Sequence, residues 1–338
     1  MRVLILGGTS FFGRDIAEAF HRAGHSISIF TRGNQLPSDL PPHHHIRGDR
    51  KSREDLAKAW ASQSFDLVID NLAYDARDIE IALETFKGCP QYLMTSSVSI
   101  YRFIPKEKYY PPIKESDANF DLTLSKAPEK LNPANWNYAH GKLEAEKILI
   151  KNKDIPWTIF RPPVVYGPND VTSRGFWYLA RLLEGGPILL SNYGSSSFQI
   201  CYSKDLAKLY LLAAESRNSK NKIYNTPQKE VITLRSFIEE SAAALGVSPK
   251  LINVCSEFIS DFGGPYSSFE NLIYDDSAVS ADLGFIPTPW KQFAKETALW
   301  FTKNSNGKTE SLLNNRREEL QFAEKWMTAL SAFKTNLS

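Results

Sequence analysis

Along the first half of the chain, short apolar runs alternate with stretches in which apolar residues recur at helical spacing, and each run ends in glycine or small polar residues. Arg2 to Leu6 is the first run, the size of a buried strand; it stops at Gly7-Gly8-Thr9-Ser10-Phe11-Phe12-Gly13. From Arg14 to Gly24, Ile16, Ala19, Phe20 and Ala23 then follow a helical rhythm. Ser26 to Thr31 predicts a second strand, ended by Arg32-Gly33-Asn34, and Ile46-Arg47-Gly48-Asp49 closes a third. Glu54 to Ser62 predicts a helix, Phe65 to Asp70 a fourth strand ending in Asp70-Asn71-Leu72-Ala73, Asp75 to Lys87 a helix, and Gln91 to Thr95 a fifth strand ending in Ser96-Ser97. Ile104 to Ala134 is proline-rich, charged and irregular, and reads as a long loop. Asn135 or Asn137 can cap a helix to about Lys151, with Ala139, Leu143 and Ile150 on its inner face, and Trp157 to Arg161 is a sixth strand before Pro162-Pro163.

Beyond that point the alternation lapses. The pattern predicts a helix over Gly175 to Glu184, a glycine-serine loop over Ser191 to Ser197 and a short strand over Phe198 to Tyr202. Ser203 is expected to cap a helix through Ala214 with Asp205 in its first turn, and Ile223 to Thr226 reads as another strand. Thr233 to Leu245 is a helix ended by Gly246, and Glu310 to Phe333 is amphipathic and helical. Strands alternating with helices of this length predict an α/β fold with a doubly wound parallel sheet. In such sheets ligands sit at the carboxyl ends of the strands, which puts the Gly7–Gly13 turn, Arg32, Asp49, Leu72-Ala73 and Ser97 on one rim.

Composition narrows the classes. The chain has 338 residues, enough for one large α/β domain or two unequal ones, with 42% hydrophobic and 23% charged residues. A formal charge of +2 gives no reason to invoke nucleic acid, whose binders carry a clustered basic face. Cys89, Cys201 and Cys255 are too few for a disulfide framework and read as buried small hydrophobes. Three consecutive imidazoles, His43 to His45, cannot share one face of a strand, so no metal site is expected. No run approaches the length of a membrane span and nothing precedes the first strand, so a cytoplasmic protein without a signal peptide is expected.

The strand–glycine turn–helix layout at Met1 to Gly24 is mechanically that of a nucleotide-phosphate cradle: glycines admit a pyrophosphate, and free amides at the helix start attract its charge. At the end of the second strand, where a carboxylate would bind ribose hydroxyls, Thr31 and Arg32 stand instead. They suit a 2′-phosphate, so NADP is favoured over NAD, although a solvated arginine in a turn would look the same. The chain has two Tyr-x-x-x-Lys pairs. Tyr110 and Lys114 bracket two prolines that forbid a helix, whereas Tyr138-Ala139-His140-Gly141-Lys142 lies in a predicted helix, which stacks the two side chains one turn apart. A free tyrosine has a pKa near 10, so proton transfer near neutral pH needs a shift of roughly three units, which a neighbouring ammonium helps supply. Ser97 can donate a hydrogen bond to a substrate oxygen as charge builds there.

Taken in order, Gly7-x-x-x-x-x-Gly13, Gly48-Asp49, Leu72-Ala73, Ser96-Ser97-x-x-x-Tyr101, Tyr138-x-x-x-Lys142, Arg161-Pro162-x-x-x-Tyr166-Gly167-Pro168 and Tyr202-x-x-Asp205-Leu206-Ala207 resemble the extended short-chain dehydrogenase/reductase family, the nucleotide-sugar epimerases and dehydratases, from Met1 to about Phe301. The resemblance implies a Rossmann-type domain over 1–170, to which 198–226 returns. It implies a smaller α/β substrate domain from 171–197 and 227–301, followed by a helical extension over 302–338. It implies Ser97, Tyr138 and Lys142 as a catalytic triad acting on a small molecule, a sugar derivative being one candidate. Gly7, Thr9, Ser10, Phe11, Phe12 and Gly13 would then surround the pyrophosphate, and Asp49 would meet the adenine. Leu72, Ala73, Pro162 and Pro163 would line the nicotinamide side, Lys142 would hold the ribose, and dimerisation would run through the helix bearing Tyr138.

Three departures stand out. Ser10 replaces the middle glycine of the turn, where a positive φ would be strained; Thr31-Arg32 replaces the usual acid; and Val164 stands where sugar epimerases often have a diphosphate-holding asparagine. The wording of the turn is closer to an atypical branch that includes the chloroplast stem-loop-binding proteins, some of which lack the tyrosine. The alternative implied by that branch is a cofactor-binding protein that binds RNA or regulates without turnover.

Overall fold

The computed structural model describes residues 1–33, 36–122, 132–259, 262–267, 271–305 and 309–335. They form two units: Met1–Val165 with Ile200–Lys229 and Tyr274–Pro287, and Tyr166–Gln199 with Glu230–Ile273 and Thr288–Ser338. Tyr274–Pro287, expected in the smaller domain, clusters with the first unit, and the C-terminal helical residues cluster with the second rather than standing apart.

The first unit runs β1 (Arg2–Leu6), α1 (Phe11–Arg22), β2 (Ser26–Thr31), β3 (His44–Arg47), α2 (Arg53–Ala61), β4 (Leu67–Asp70), α3 (Ala76–Thr85), β5 (Tyr92–Thr95), α4 (Pro133–Lys151) and β6 (Trp157–Arg161), then helix Ser203–Glu215 and strand Lys222–Asn225. The strands form a seven-stranded sheet, in which β6 is flanked by Lys222–Asn225 and β5, followed by β4, β1, β2 and β3 at the far edge; the pairs are parallel. Apolar runs without alternation are what a sheet covered on both faces requires. Val3 and Ile5 of β1 pack with Ile16, Phe20, Leu206 and Tyr210 on one face; Leu4 and Leu6 pack with Leu56, Ile79, Ala145 and Leu149 on the other.

Several local expectations shift. α1 begins at Phe11 rather than Arg14, so the phenylalanines belong to its first turn. The cap of α4 is Asn132, not Asn135 or Asn137: its side chain accepts from the amides of Ala134 and Asn135, and Pro133 at the first helical position has the φ a helix start needs. Ser203 is the first helical residue of Ser203–Glu215, with Tyr202 at the cap position. Within the irregular stretch before α4, short 3₁₀ turns span Val98–Phe103, Lys106–Lys108 and Glu115–Asp117, and Ile113 forms a β-bridge with Tyr274. Residues 123–131 of that predicted loop lie outside the described residues.

In the second unit, helices Arg174–Glu184, Leu234–Leu245, Trp290–Asn304 and Arg316–Thr335 accompany a parallel strand pair, Pro187–Ser191 with Lys250–Val254, that the sequence pattern did not show. Both runs are short and follow glycine- or proline-containing turns, so their periodicity is weak. Thr233 and Ser236 cap Leu234–Leu245 reciprocally, and Gly246 ends it at φ +70°. Arg181 and Glu319, both buried, pair at 2.9 Å and tie the C-terminal helix into this unit. Tyr178, Tyr266 and Trp290 are core residues of this unit. Cys89 and Cys201 are buried, whereas Cys255 is exposed, contrary to expectation, because it follows the end of strand Lys250–Val254.

Candidate active site

The carboxyl ends of β1, β4, β5 and β6 and the middle of α4 converge in the first unit. The turn after β1 puts Gly7 at φ +85° and Phe11 at φ +48°, while Ser10 is extended at φ −141°. The serine is therefore not strained, and the residue that bears the left-handed conformation is Phe11, whose ring is buried. A Cβ on Gly13 would lie 2.2 Å from the Gly7 carbonyl, so glycine alone lets α1 approach β1 this closely. The Ser10 side chain makes no capping bond and no acidic residue occupies the first turn of α1, so its leading amides meet no side-chain anion of their own helix. A dinucleotide pyrophosphate fits that deficit. Thr9 is half-buried and Ser10 exposed beside it.

At the end of β4, Asp70 is fully buried and accepts from Arg50 at 2.6 Å, from the Tyr92 hydroxyl at 2.7 Å and from the Leu72 amide at 2.8 Å. Asn71 donates to the Gly7 carbonyl at 3.3 Å and accepts from Thr95 at 2.7 Å, tying β1, β4 and β5 at one level. Asp78 accepts from the Tyr74 amide at 2.8 Å, which fixes the backbone leaving Ala73.

Lys142 is the centre of the arrangement. Its side chain is buried, and Nζ donates to the carbonyls of Ala73 and Thr95, each at 2.7 Å, so one ammonium holds the ends of β4 and β5 and keeps a third donor. Nζ also stands 4.6 Å from the Tyr74 ring centre and 5.9 Å from that of Tyr138. Burial lowers its pKa to about 8, against the opposing pull of the Asp70, Asp78 and Glu146 carboxylates. Tyr138, one turn earlier, is 39% exposed, with its ring 6.3 Å from that of Tyr74. Burial and the neighbouring Tyr138 push the Tyr74 phenol above the usual tyrosine range.

Gly141 makes this approach of α4 feasible: a Cβ there would lie 2.4 Å from the Tyr74 carbonyl. Gly141→Ala is expected to force α4 off β4, to destabilise the protein by about 1–3 kcal/mol, and to lower turnover, as read from urea unfolding and steady-state rates.

Ser97 is buried at the end of β5. Its Oγ accepts from the Ser99 amide at 3.1 Å and donates to the Ser99 hydroxyl at 3.0 Å. The Pro162 carbonyl accepts from the Val98 amide at 3.2 Å, and Pro162 and Pro163 are buried beside it. Below lies a fully buried ion pair: Arg161 donates to Glu146 at 2.6 Å and to the Tyr101 hydroxyl at 2.8 Å, and Ser96 donates to the same carboxylate. Tyr101 in turn donates to Asn225 at 2.6 Å. Beyond the carboxyl ends of β2 and β3, towards the edge of the sheet, Arg32 is exposed; Asp49 is also exposed, with Oδ1 accepting from the Lys51 amide at 2.9 Å.

Ser97, Tyr138, Lys142, the β1 turn, Leu72 and Ala73 thus occupy one region of a single unit, while Arg32 and Asp49 lie at the β2 and β3 ends. Asp70, Arg50, Tyr74 and Glu146 were not singled out from the sequence. A signal existed for two of them. Asp70 is a carboxylate closing the apolar run Leu67 to Ile69, and Glu146 lies one helical turn beyond Lys142 on the same inner face. Nothing local marks Arg50.

Residues 3–226 match the model of the NAD dependent epimerase/dehydratase family. The chain belongs to that family. It is 28% identical over 266 residues, 75% of this chain and 65% of the relative, to the chloroplast stem-loop binding protein of 41 kDa b of Arabidopsis thaliana, so it spans just under two thirds of that protein's length. It is 24% identical over 272 residues, 77% of this chain and 71% of the relative, to the 2'-dehydrokanamycin reductase of Streptomyces kanamyceticus. The fold matches the UDP-glucose 4-epimerase of Thermotoga maritima solved with UDP-glucose, with a TM-score of 0.71 at 16% identity over 90% of this chain and 99% of that one. A UDP-glucose 4-epimerase of Thermus thermophilus solved with NAD matches with a TM-score of 0.66 at 18% identity over 90% of this chain and all of that one. Among the described residues no helix is long and apolar enough to cross a membrane.

Proposed function

We propose that the protein is an NADP(H)-dependent enzyme of the oxidoreductase, epimerase or dehydratase type, in which hydride and proton transfer at a hydroxyl or carbonyl carbon of a small molecule is carried out with Ser97, Tyr138 and Lys142 as its catalytic groups. The observation that carries this reading is a half-exposed Tyr138 one helical turn from a buried Lys142 whose ammonium is held by two strand-end carbonyls. When bound, the dinucleotide supplies or accepts the hydride. The Tyr138 phenol gives its proton to the substrate oxygen on reduction, and the phenolate takes it back on oxidation. The nearby cation stabilises the phenolate. Ser97 keeps one acceptor site on the Ser99 amide and can turn its hydrogen from Ser99 to the substrate oxygen. The third N–H of Lys142 would hold a ribose hydroxyl.

The β1 turn with Gly7, Thr9, Ser10, Phe11, Phe12 and Gly13 would hold the pyrophosphate, with Asp49 towards the adenine and Leu72, Ala73, Pro162 and Pro163 towards the nicotinamide. A sugar derivative is the substrate class in this reading, supported by the likeness of the fold to a UDP-glucose 4-epimerase solved with UDP-glucose; Val164 offers no side-chain hydrogen bond to a substrate diphosphate. A cytoplasmic homodimer formed through α4 belongs to the same reading, and light scattering would test the dimer.

The exposed Arg32 at the end of β2, with no carboxylate at Thr31, supports NADP over NAD. Arg32→Ala is expected to weaken NADPH binding about 10–100-fold and leave NADH binding unchanged, as read by nicotinamide fluorescence. Binding of neither nucleotide would overturn the enzyme reading. It would favour instead the alternative, RNA binding or regulation, which the likeness to the chloroplast protein supports.

A further inference from the structure

We infer that the ends of β2 and β3 together form a protonation-dependent subsite for the 2′-phosphate of an adenine dinucleotide, built from Thr31, Arg32, His45 and Arg47. This rests on the NADP(H) reading above and adds to it the edge strand β3.

Register brings the parts together. Thr31 of β2 pairs with Arg47 of β3, so Thr31, Arg47 and, two residues back, His45 lie on one face of the sheet. The contacts follow from this placement. Thr31 Oγ1 and His45 Nε2 are 3.1 Å apart and share a hydrogen bond, and Thr31 Oγ1 also accepts from the Gly33 amide at 3.2 Å. Arg47 Nε donates to the Arg32 carbonyl at 3.2 Å, which brings a second guanidinium to the strand end. A Cβ on Gly33 would lie 3.0 Å from His45 and 3.1 Å from Arg47, so Gly33 rests directly on both side chains. Gly33 itself has φ +74°, a conformation that residues with a side chain rarely adopt.

The Thr31 hydroxyl has one hydrogen. With neutral His45 accepting it, the hydroxyl spends that hydrogen on the ring, and its other engagement is the Gly33 amide. Protonated His45 donates at both nitrogens, so Nε2 becomes the donor to Thr31 and the hydroxyl hydrogen turns free towards an anion. Protonation also adds a positive charge beside two guanidinium groups. Burial first, and then repulsion from His43, Arg47 and His44, hold the His45 pKa below the usual histidine value. A phosphate dianion reverses that repulsion. Phosphate binding and His45 protonation therefore favour each other, and by linkage the effect is reciprocal.

The test measures NADPH, NADH and adenosine 2′,5′-bisphosphate affinity at about pH 6 and about pH 8 for the wild type, His45→Gln and Arg47→Gln. The phosphate's own second ionisation, near pH 6, weakens binding as pH falls, so His45→Gln, which cannot titrate, is the reference. Expected is a gain of about fivefold to tenfold in wild-type NADPH and bisphosphate affinity at the lower pH, relative to His45→Gln, with NADH unaffected. Arg47→Gln is expected to weaken NADPH and bisphosphate binding about tenfold at both pH values. Unchanged NADH binding in each variant shows that the fold is retained. If NADPH preference persists in both variants and the wild type follows His45→Gln with pH, the β3 subsite is overturned while the NADP(H) reading stands. If the wild type does not prefer NADPH to NADH at either pH, the 2′-phosphate reading fails, and this subsite with it.

Discussion

Tyr138→Phe is expected to lower turnover by about 10²–10⁴-fold on the enzyme's substrate while leaving NADPH affinity unchanged. The substitution removes one oxygen from a side chain that is 39% exposed and keeps the ring that faces Tyr74, so the expected loss is in proton transfer. The measurement is a steady-state rate with a fluorescence titration beside it; a variant with more than a tenth of wild-type turnover would remove Tyr138 from the proton-transfer role. The same arrangement sets a pH dependence. Burial lowers the Lys142 pKa to about 8, so its ammonium is lost as pH rises through that value, and with it the stabilisation of the phenolate. In the free enzyme kcat/KM is therefore expected to fall above about pH 8. For stability the sign is opposite. The unfolded chain holds the Lys142 proton up to the usual lysine value of 10.5, so between about 8 and 10.5 it binds more protons than the folded one, and this group's contribution to stability rises with pH.

Glu146→Ala is expected to destabilise the protein by about 3–5 kcal/mol, more than Gly141→Ala. Glu146 and Arg161 are both fully buried, and the carboxylate takes three hydrogen bonds from the guanidinium, at 2.6, 3.1 and 3.2 Å. Among the described residues, removing it leaves a desolvated cation with hydrogen bonds to the Tyr101 hydroxyl and the Glu115 carbonyl, each at 2.8 Å, and with the Tyr101 and Phe120 rings, none of which carries a full charge to balance it. Ser96, next to Ser97, loses its acceptor in the same step. Glu146→Gln keeps the shape and is expected to lose less. Urea unfolding of the three proteins decides the matter: a loss below about 1 kcal/mol for Glu146→Ala would mean that water or a rearranged neighbour compensates the arginine.

The parts of the site legible beforehand were those whose chemistry depends on local spacing. Tyr138 and Lys142 are one helical turn apart, and the prolines between Tyr110 and Lys114 rule that pair out; both statements need only helix geometry. The β1 turn was equally legible in outline, because strand, glycines and helix are contiguous. Its detail was not. The left-handed residue is Phe11 rather than Ser10, since the path of the backbone depends on how closely α1 must approach β1 at Gly13. The cap of α4 was misplaced for a similar reason: three asparagines stand within six residues, and only the course of the chain before Pro133 decides which side chain meets the amides.

The sequence by itself determined the order and kind of elements from β1 to β6, the burial of the sheet on both faces, and the placement of the glycine turn, Ser97, Tyr138 and Lys142 at strand ends and on a helix. Those follow from periodicity and turn chemistry, which act over a few residues. The tertiary structure alone decided what each charge meets. Lys142 finds the carbonyls of Ala73 and Thr95, Asp70 finds Arg50, and Thr31 finds His45, partners 14 to 69 positions away. It also decided that Tyr274–Pro287 joins the first unit. Such pairings are set by strand order and register, where a shift of one residue turns a side chain to the opposite face, and no local pattern in the chain encodes them.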